Sequence, residues 1–277
     1  MLDKYLIEDH IKQTLKEDIG FGDITTEYLM PSEQNLNCEL KSREQGIFCG
    51  KDVFSTVFNT LSEKINIKFL KNDGDSLEKG DVIAKIEGPA KYILLGERTA
   101  LNYVQRMSGI ATETNKYVKK IEKYKAKIAD TRKTTPLFRV FEKYSVKTGG
   151  GNLHRYNLSD CAMIKDNHIV AAGGVTAAVN TLKKNISHAH KIEVECDTKS
   201  QVIEALNCGA DIIMLDNMSC EEMQECVKII NGKAIAEASG NVTLETVESI
   251  AKTGVDIIST SAIVAKAMPL DLGLDCK

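Results

Sequence analysis

The sequence predicts an α/β protein: a (β/α) barrel, complete or slightly reduced, preceded by a smaller region of mixed strands and helices. Three observations carry this. After about residue 125, short apolar runs alternate with helical patterns, the sign of parallel strands joined by crossover helices. Between residues 36 and 87, β-like runs are instead separated by Asp, Asn and Gly turns. No Gly-rich fingerprint follows the first alternating strand, which argues against an open nucleotide-binding sheet.

Residues 3–19 place Leu6, Ile7, Ile11, Leu15 and Ile19 on one face, as in an amphipathic helix ended by Gly20 and Gly22. Asp23–Thr26 reads as a polar loop or strand start. Strand-like runs follow at 37–41, 46–49, 65–70 and 82–86, with a helix near 53–61. The segment Asp73–Ala84 resembles the hairpin framework of biotinyl and lipoyl carrier domains, but it has no exposed lysine tip, so the likeness is structural. A long helical pattern starts near Ala90, passes Gly109 and continues or restarts to Ile121. Strand patterns then end at Asp130, Ile164, Glu195, Leu215, Glu237 and Ser259. Helical patterns lie at 136–147, 175–185, 199–207, 220–230 and 244–252.

The 277 residues suit one large domain, or one large and one small. Hydrophobic content of 43% and charged content of 27% are ordinary for a soluble globular chain. The net charge of −3 implies no global attraction to nucleic acid, so any anion site must come from local clustering. With no Trp and 5% aromatics, no base-stacking platform stands out. No apolar run approaches the roughly 20 residues that span a bilayer, and Met1–Tyr5 lacks a signal-peptide core. The eight cysteines form no C-x-x-C pair and read as reduced thiols of the cytosol, with secretion and disulfides as the alternative.

In (β/α) barrels the chemistry sits on loops after the strands, and there this chain concentrates its polar groups. Thr131, Arg132 and Lys133 follow the first strand and, with Thr134 and Thr135, make an anion site or a solvated loop. Gly149–Gly151 is a flexible loop, or lets the backbone approach a ligand; the following His154 and Arg155 bind an anion or satisfy helix carbonyls. Lys165 ends an apolar run, where an ammonium needs a partner or ligand. Glu195 and Asp216 end neighbouring strands and could hold a divalent cation or pair with the lysines. Ser239-Gly240-Asn241 and Thr260-Ser261 resemble a phosphate grip, with helix capping as the plainer reading.

Taken together, Glu97–Asn102, Gln105–Thr112, Thr131–Pro136, Glu142–Tyr144, Gly149–Arg155, Ile164–His168, Glu193–Glu195, Met214–Met218 and Glu237–Asn241 resemble the quinolinate phosphoribosyltransferase family, over nearly the whole chain and in order. The resemblance implies an incomplete (β/α) barrel (residues 108–267) with an N-terminal mixed α/β open-sandwich domain (residues 1–107), the tail 268–277 packing with the latter. It implies transfer of the phosphoribosyl group of phosphoribosyl pyrophosphate to quinolinate with decarboxylation. It also implies Mg2+ as cofactor and a cytoplasmic homodimer with shared sites, alone or within a hexamer.

By the same resemblance, Arg132, His154, Arg155 and Lys165 would be quinolinate-binding cations, with Arg98 reaching in from a partner subunit. Lys133 would contact phosphoribosyl pyrophosphate. Glu195 and Asp216 would face its ribose and the magnesium ion. Thr131 would line the site; Ser239, Gly240, Asn241, Thr260, Ser261 and Ala262 would hold the 5-phosphate. Lys133, Lys165, Glu195 and Asp216 would form the catalytic set. Ser261 stands where the family often has Gly, and a backbone N–H contact survives that change. Three other readings compete: a paralogous transferase encoded with molybdenum transporters, a Schiff-base lyase using Lys165, and a non-catalytic binding barrel.

Overall fold

The computed structural model describes residues 2–30 and 34–276. The chain forms two compact units: Met1–Asn115 with Thr135–Gly150 and Ala267–Lys277, and Lys116–Thr134 with Gly151–Lys266. The sequence reading drew the division at residue 107; in the structure it falls at residue 115, and residues 135–150 group with the first unit.

In the first unit, helix α1 (Lys4–Ile19) starts where the Asp3 side chain accepts the Tyr5 N–H, and it buries Ile7, Ile11 and Leu15 at four-residue spacing. The Asp23–Thr26 stretch is neither loop nor strand. Asp23 accepts the Thr25 and Thr26 N–H groups and starts a short helix, α2 (Ile24–Leu29). Strand β1 (Asn35–Ser42) leads through β2 (Gly46–Ile47) to helix α3 (Lys51–Leu61), then to β3 (Asn66–Phe69), β4 (Ser76–Leu77) and β5 (Val82–Pro89). The carrier-like turn is structural: Asp73 Oδ1 accepts the Gly50 and Lys51 N–H groups at the start of α3, while Tyr144 Oη donates to Oδ2 at 2.7 Å. The core joins Phe48, Phe54, Phe58 and Phe141 to aliphatic side chains of α1, β1 and β5. Each such aromatic contributes roughly 1.5–3 kcal/mol by leaving water.

Helix α4 (Ala90–Lys120) runs unbroken through Gly109, where a Cβ would lie 2.0 Å from the Met268 carbonyl oxygen. Helix α5 (Arg139–Thr148) packs on it for a similar reason. A Cβ on Gly149 would lie 2.4 Å from the Ala111 carbonyl oxygen, and Asn115 Nδ2 donates to the Gly149 carbonyl at 3.3 Å. Gly149 therefore serves close helix packing, which neither sequence reading of the glycine run anticipated. This packing explains why residues 135–150 join the first unit.

The C-terminal strand β12 (Leu272–Cys276) pairs antiparallel with β1, giving the sheet order β12-β1-β5-β3. Cys38 stands opposite Cys276 and the two are disulfide-bonded, whereas the sequence reading expected reduced thiols throughout. A separation of 238 residues hides this pairing from any spacing rule. The other six cysteines are free.

The second unit is a six-stranded parallel sheet of β6 (Lys127–Ala129), β7 (Ala162–Ile164), β8 (Ile192–Cys196), β9 (Ile212–Asp216), β10 (Ile235–Ser239) and β11 (Ile257–Ser259). Its order, β6-β11-β10-β9-β8-β7, places the first strand beside the last and leaves β6 and β7 unpaired with each other, so the barrel is incomplete. A single bridge from Ala129 to Asn152 extends it past β6. Helices α6 (Asp166–Ala172), α7 (Val175–Asn185), α8 (Lys199–Asn207), α9 (Cys220–Ile230), α10 (Val247–Lys252) and α11 (Ala262–Ala265) fill the connections. Thr198 and Ser219 open α8 and α9 as capping boxes with Gln201 and Glu222. Val194, Ile213, Leu215, Ala236, Ala238 and Ile258 are buried at alternate strand positions, so the residues between them face the other side of the sheet.

Candidate active site

The site grows from the C-terminal ends of the barrel strands. Beyond β6, the Lys133 N–H donates to Thr131 Oγ1 at 3.0 Å and the Thr134 N–H to the Arg132 carbonyl at 3.0 Å. This hydroxyl-closed turn sets Arg132 and Lys133 at its tip. Before β7, the buried Asp130 accepts the His154 N–H at 2.8 Å, and Arg155 Nη1 donates to the Cys161 carbonyl at 2.8 Å. Lys165 finds the partner its apolar setting demanded: Nζ lies 2.5 Å from Glu195 Oε2. A carboxylate neighbour is the opposite of the apolar pocket that activates a Schiff-base lysine.

Asp216 ends β9, and its Oδ2 accepts Asn217 Nδ2 at 2.7 Å. Asn217 in turn accepts Asn241 Nδ2 at 3.0 Å, tying the loops after β9 and β10 together. Gly240 has φ +89°, and a Cβ there would meet Asn217 Oδ1 at 2.2 Å, so only glycine fits. Burial, then the charges of Glu195 and Asp197, push the Asp216 carboxyl above its ordinary value, against Lys165 and Asn217. A divalent cation between Glu195 and Asp216 would relieve that repulsion. Their hard oxygen donors and partial exposure suit an ion that keeps some of its waters.

Thr131, Arg132, Lys133, His154, Arg155, Lys165, Glu195, Asp216 and Ser239 line one cleft of about 440 Å3. Its size suits a small-molecule ligand. An adjoining recess of about 350 Å3 shares Thr131, Lys133 and Ser239 and adds Gly240, Asn241, Thr260, Ser261 and Ala262. Arg98 belongs to α4 in the first unit, with its side chain exposed.

His154 lines both the cleft and an inner cavity. Its Nδ1 accepts the Arg155 backbone N–H at 2.8 Å, so the ring proton is on Nε2. Nε2 lies 3.2 Å from Glu193 Oε2 and 3.5 Å from Glu237 Oε1. The ring is held from inside the barrel. The ligand atoms of these three residues lie within 4.8 Å of one another, close enough for a metal. A metal on Nε2 would need the proton on Nδ1, where the Arg155 N–H already points. The arrangement therefore favours a hydrogen-bonded cluster. Glu193 and Glu237 also line a cavity of about 320 Å3 at the strand beginnings, beside Ile212, Ile235 and Ile257. Burial, then the charge of Glu193, raises the Glu237 carboxyl to about 7, against His154.

Several of these residues received no role from the sequence reading. Glu193 and Glu237 stand two positions before Glu195 and Ser239, a strand spacing that could have placed them on the same face. Asn217 follows Asp216 directly. Lys266 adds a cation to the smaller recess, and no local pattern marks it.

An incomplete parallel barrel whose strand ends gather cations, two acids and a hydroxyl-rich recess defines a phosphoribosyltransferase architecture. Residues 110–275 match the C-terminal domain of quinolinate phosphoribosyl transferase, and residues 23–108 match its N-terminal domain. The chain belongs to the quinolinate phosphoribosyl transferase family. It is 42% identical over 259 residues to a probable nicotinate-nucleotide pyrophosphorylase [carboxylating] of Bacillus subtilis, covering 94% of this chain and 89% of that one. It is 37% identical over 289 aligned positions to a tobacco quinolinate phosphoribosyltransferase [decarboxylating], covering 98% and 82%. The nicotinate-nucleotide pyrophosphorylase structure from Francisella tularensis superposes with a TM-score of 0.96 at 39% identity, covering 100% of this chain and 98% of that one.

The Glu237 carboxyl makes stability depend on pH. Its folded value lies above its ordinary 4.5, so its stabilising contribution is complete below pH 4.5 and is lost as pH rises to about 7. The loss is on the order of 3 kcal/mol. Glu237→Gln should flatten this slope. Urea midpoints at pH 5 and pH 8 check it, and an equal fall in both proteins would contradict the assignment.

Proposed function

We infer that this chain transfers the phosphoribosyl group of phosphoribosyl pyrophosphate to quinolinate with decarboxylation. The products are nicotinate mononucleotide, pyrophosphate and CO2, a step of de novo NAD synthesis. The observation that carries this is the cleft itself: Arg132, Lys133, Arg155 and Lys165 line one wall-to-wall space with Glu195 and Asp216. Two carboxylates of one substrate and the phosphates of the other account for that many cations.

In this reading, Arg132 and Arg155 hold the two carboxylates of quinolinate and fix the pyridine nitrogen in line with the anomeric carbon. Positioning of this kind supplies roughly 7–11 kcal/mol of barrier reduction. The nitrogen lone pair forms the N–C bond while the bond to pyrophosphate breaks, and the leaving group takes that electron pair. Positive charge develops on the ribose, and Glu195 and Asp216 stabilise it electrostatically. Lys133 meets the pyrophosphate side. The loops Ser239–Asn241 and Thr260–Ala262 hold the 5-phosphate, with Lys266 in the same recess. The ring nitrogen is then cationic. The C2 carboxylate leaves as CO2, its bonding pair stays on C2 beside that cation, and a proton closes the step.

We propose Mg2+ as the cofactor, with Glu195 and Asp216 as the protein ligands; when bound it neutralises charge on the departing pyrophosphate. His154 enters as part of the quinolinate wall. The proposed assembly is a homodimer with shared sites, alone or within a hexamer, in which Arg98 serves the partner subunit's cleft. Exposed apolar side chains in the first unit, among them Leu6, Phe21, Ile24, Tyr28 and Leu29, support an interface. The proposed compartment is the cytoplasm, which the six free thiols fit. Among the described residues, no helix is long and apolar enough to cross a membrane.

Changing Arg132 or Arg155 to Ala should weaken quinolinate binding by on the order of 2 kcal/mol or more, with a much smaller change for phosphoribosyl pyrophosphate. Calorimetry with each ligand checks this, and equal losses for both would refute the assignment. Arg98→Ala should be inactive alone. After mixing and subunit exchange with Arg132→Ala, part of the activity should return; its absence would argue against shared sites.

A further inference from the structure

Two carboxylates inside a barrel need a reason. At the strand beginnings the neighbouring interior positions are Ile212, Ile235 and Ile257. Aliphatic side chains at Glu193 and Glu237 would fill the space without desolvating charge. The acids are instead 0% and 3% exposed, and Glu193 Oε2 and Glu237 Oε1 have no hydrogen-bond partner that meets full geometry. What both face is His154 Nε2.

His154 connects two spaces. It lines both the substrate cleft and the interior cavity, while Glu193 and Glu237 line only the cavity. Its backbone N–H is fixed by Asp130 and its Nδ1 accepts the Arg155 N–H. That second bond exists only while Nδ1 carries no proton. In the other tautomer, Nδ1–H would face the Arg155 N–H, two donors against each other. The carboxylates draw the ring proton to Nε2 and so select the tautomer that lets His154 hold the Arg155 backbone.

We propose that Glu193 and Glu237 are positioning residues for quinolinate: Glu193 accepts His154 Nε2–H and Glu237 stands beside the same nitrogen, so together they fix the ring tautomer, and through its Nδ1 they hold Arg155 at the cleft. This rests on the reading of the cleft given above. Neither acid lines the cleft; both lie against His154, and Glu237 also meets Ser259. Their effect through His154 falls on the quinolinate wall, and neither acid lines the phosphate-side recess.

The test is a double-mutant cycle between Glu237→Gln and His154→Ala, with steady-state kinetics for both substrates. Glu237→Gln should raise the KM for quinolinate roughly tenfold, with the KM for phosphoribosyl pyrophosphate changed by less than about twofold. In the His154→Ala background, Glu237→Gln should add less than about twofold to either KM. A full additional effect there, or equal effects on both substrates, would overturn the proposal and leave the cleft reading standing. If His154→Ala itself leaves the KM for quinolinate unchanged, the proposal and the place of His154 in the cleft fall together. Imidazole 15N NMR gives a readout that needs no variant. In the unaltered protein, His154 should show an unprotonated Nδ1 and a protonated Nε2. A protonated Nδ1 would sink the proposal even if the Gln variant does not fold.

Discussion

Parallel pairing of six strands in register is the constraint on which the site depends. Ser239 pairs with Asp216, Ser259 with Ala129, and Glu195 with Met214, so the strand ends reach one rim together. Strand alternation then stacks a second layer beneath the first on the same face. Glu193 lies under Glu195, Glu237 under Ser239, and Met214 under Asp216. Residues drawn from more than a hundred positions of sequence thereby meet in one cleft, and the loops need only be short to present them.

The two layers divide the electrostatic work. At the rim, exposed or half-buried cations meet two acids, and Lys165 already neutralises Glu195 before any ligand arrives. The unmatched potential there suits polyanionic substrates with a divalent cation. Below the rim, Glu193 and Glu237 are buried, and charge is costly there. Burial and the neighbouring Glu193 charge raise the Glu237 carboxyl to about 7, and His154 Nε2 bonds Glu193 and lies 3.5 Å from Glu237. His154 joins the layers, which is why its tautomer matters more than its charge.

Much of this was legible in the chain. The regular units around β9, β10 and β11 declared themselves because their strands are apolar runs bounded by Gly and Asn turns, and parallel strands buried on both faces read that way. The rim residues were legible because charge at the end of an apolar run is conspicuous. What escaped depended on distant partners. Asp23–Thr26 looked like a loop because a six-residue helix shows little periodicity, and only the Asp23 cap marks it. The short helices α6 and α11 escaped for the same reason. Gly149 reads as flexible loop or as room for a ligand, because nothing local says that its missing Cβ makes room for a carbonyl from α4. The Cys38–Cys276 pair depends on β12 returning to β1. Residue type alone does not reveal which nitrogen of His154 meets Arg155.

The central claim is that one cleft gathers the charges for both quinolinate and phosphoribosyl pyrophosphate and couples transfer to decarboxylation. The most direct measurement follows pyrophosphate and carboxyl-labelled CO2 together, with purified protein, both substrates and Mg2+. The account predicts equal amounts of the two products, dependent on both substrates, and no CO2 when nicotinate, which lacks the 2-carboxylate, replaces quinolinate. Pyrophosphate release that does not require quinolinate, or that proceeds without CO2, would contradict it.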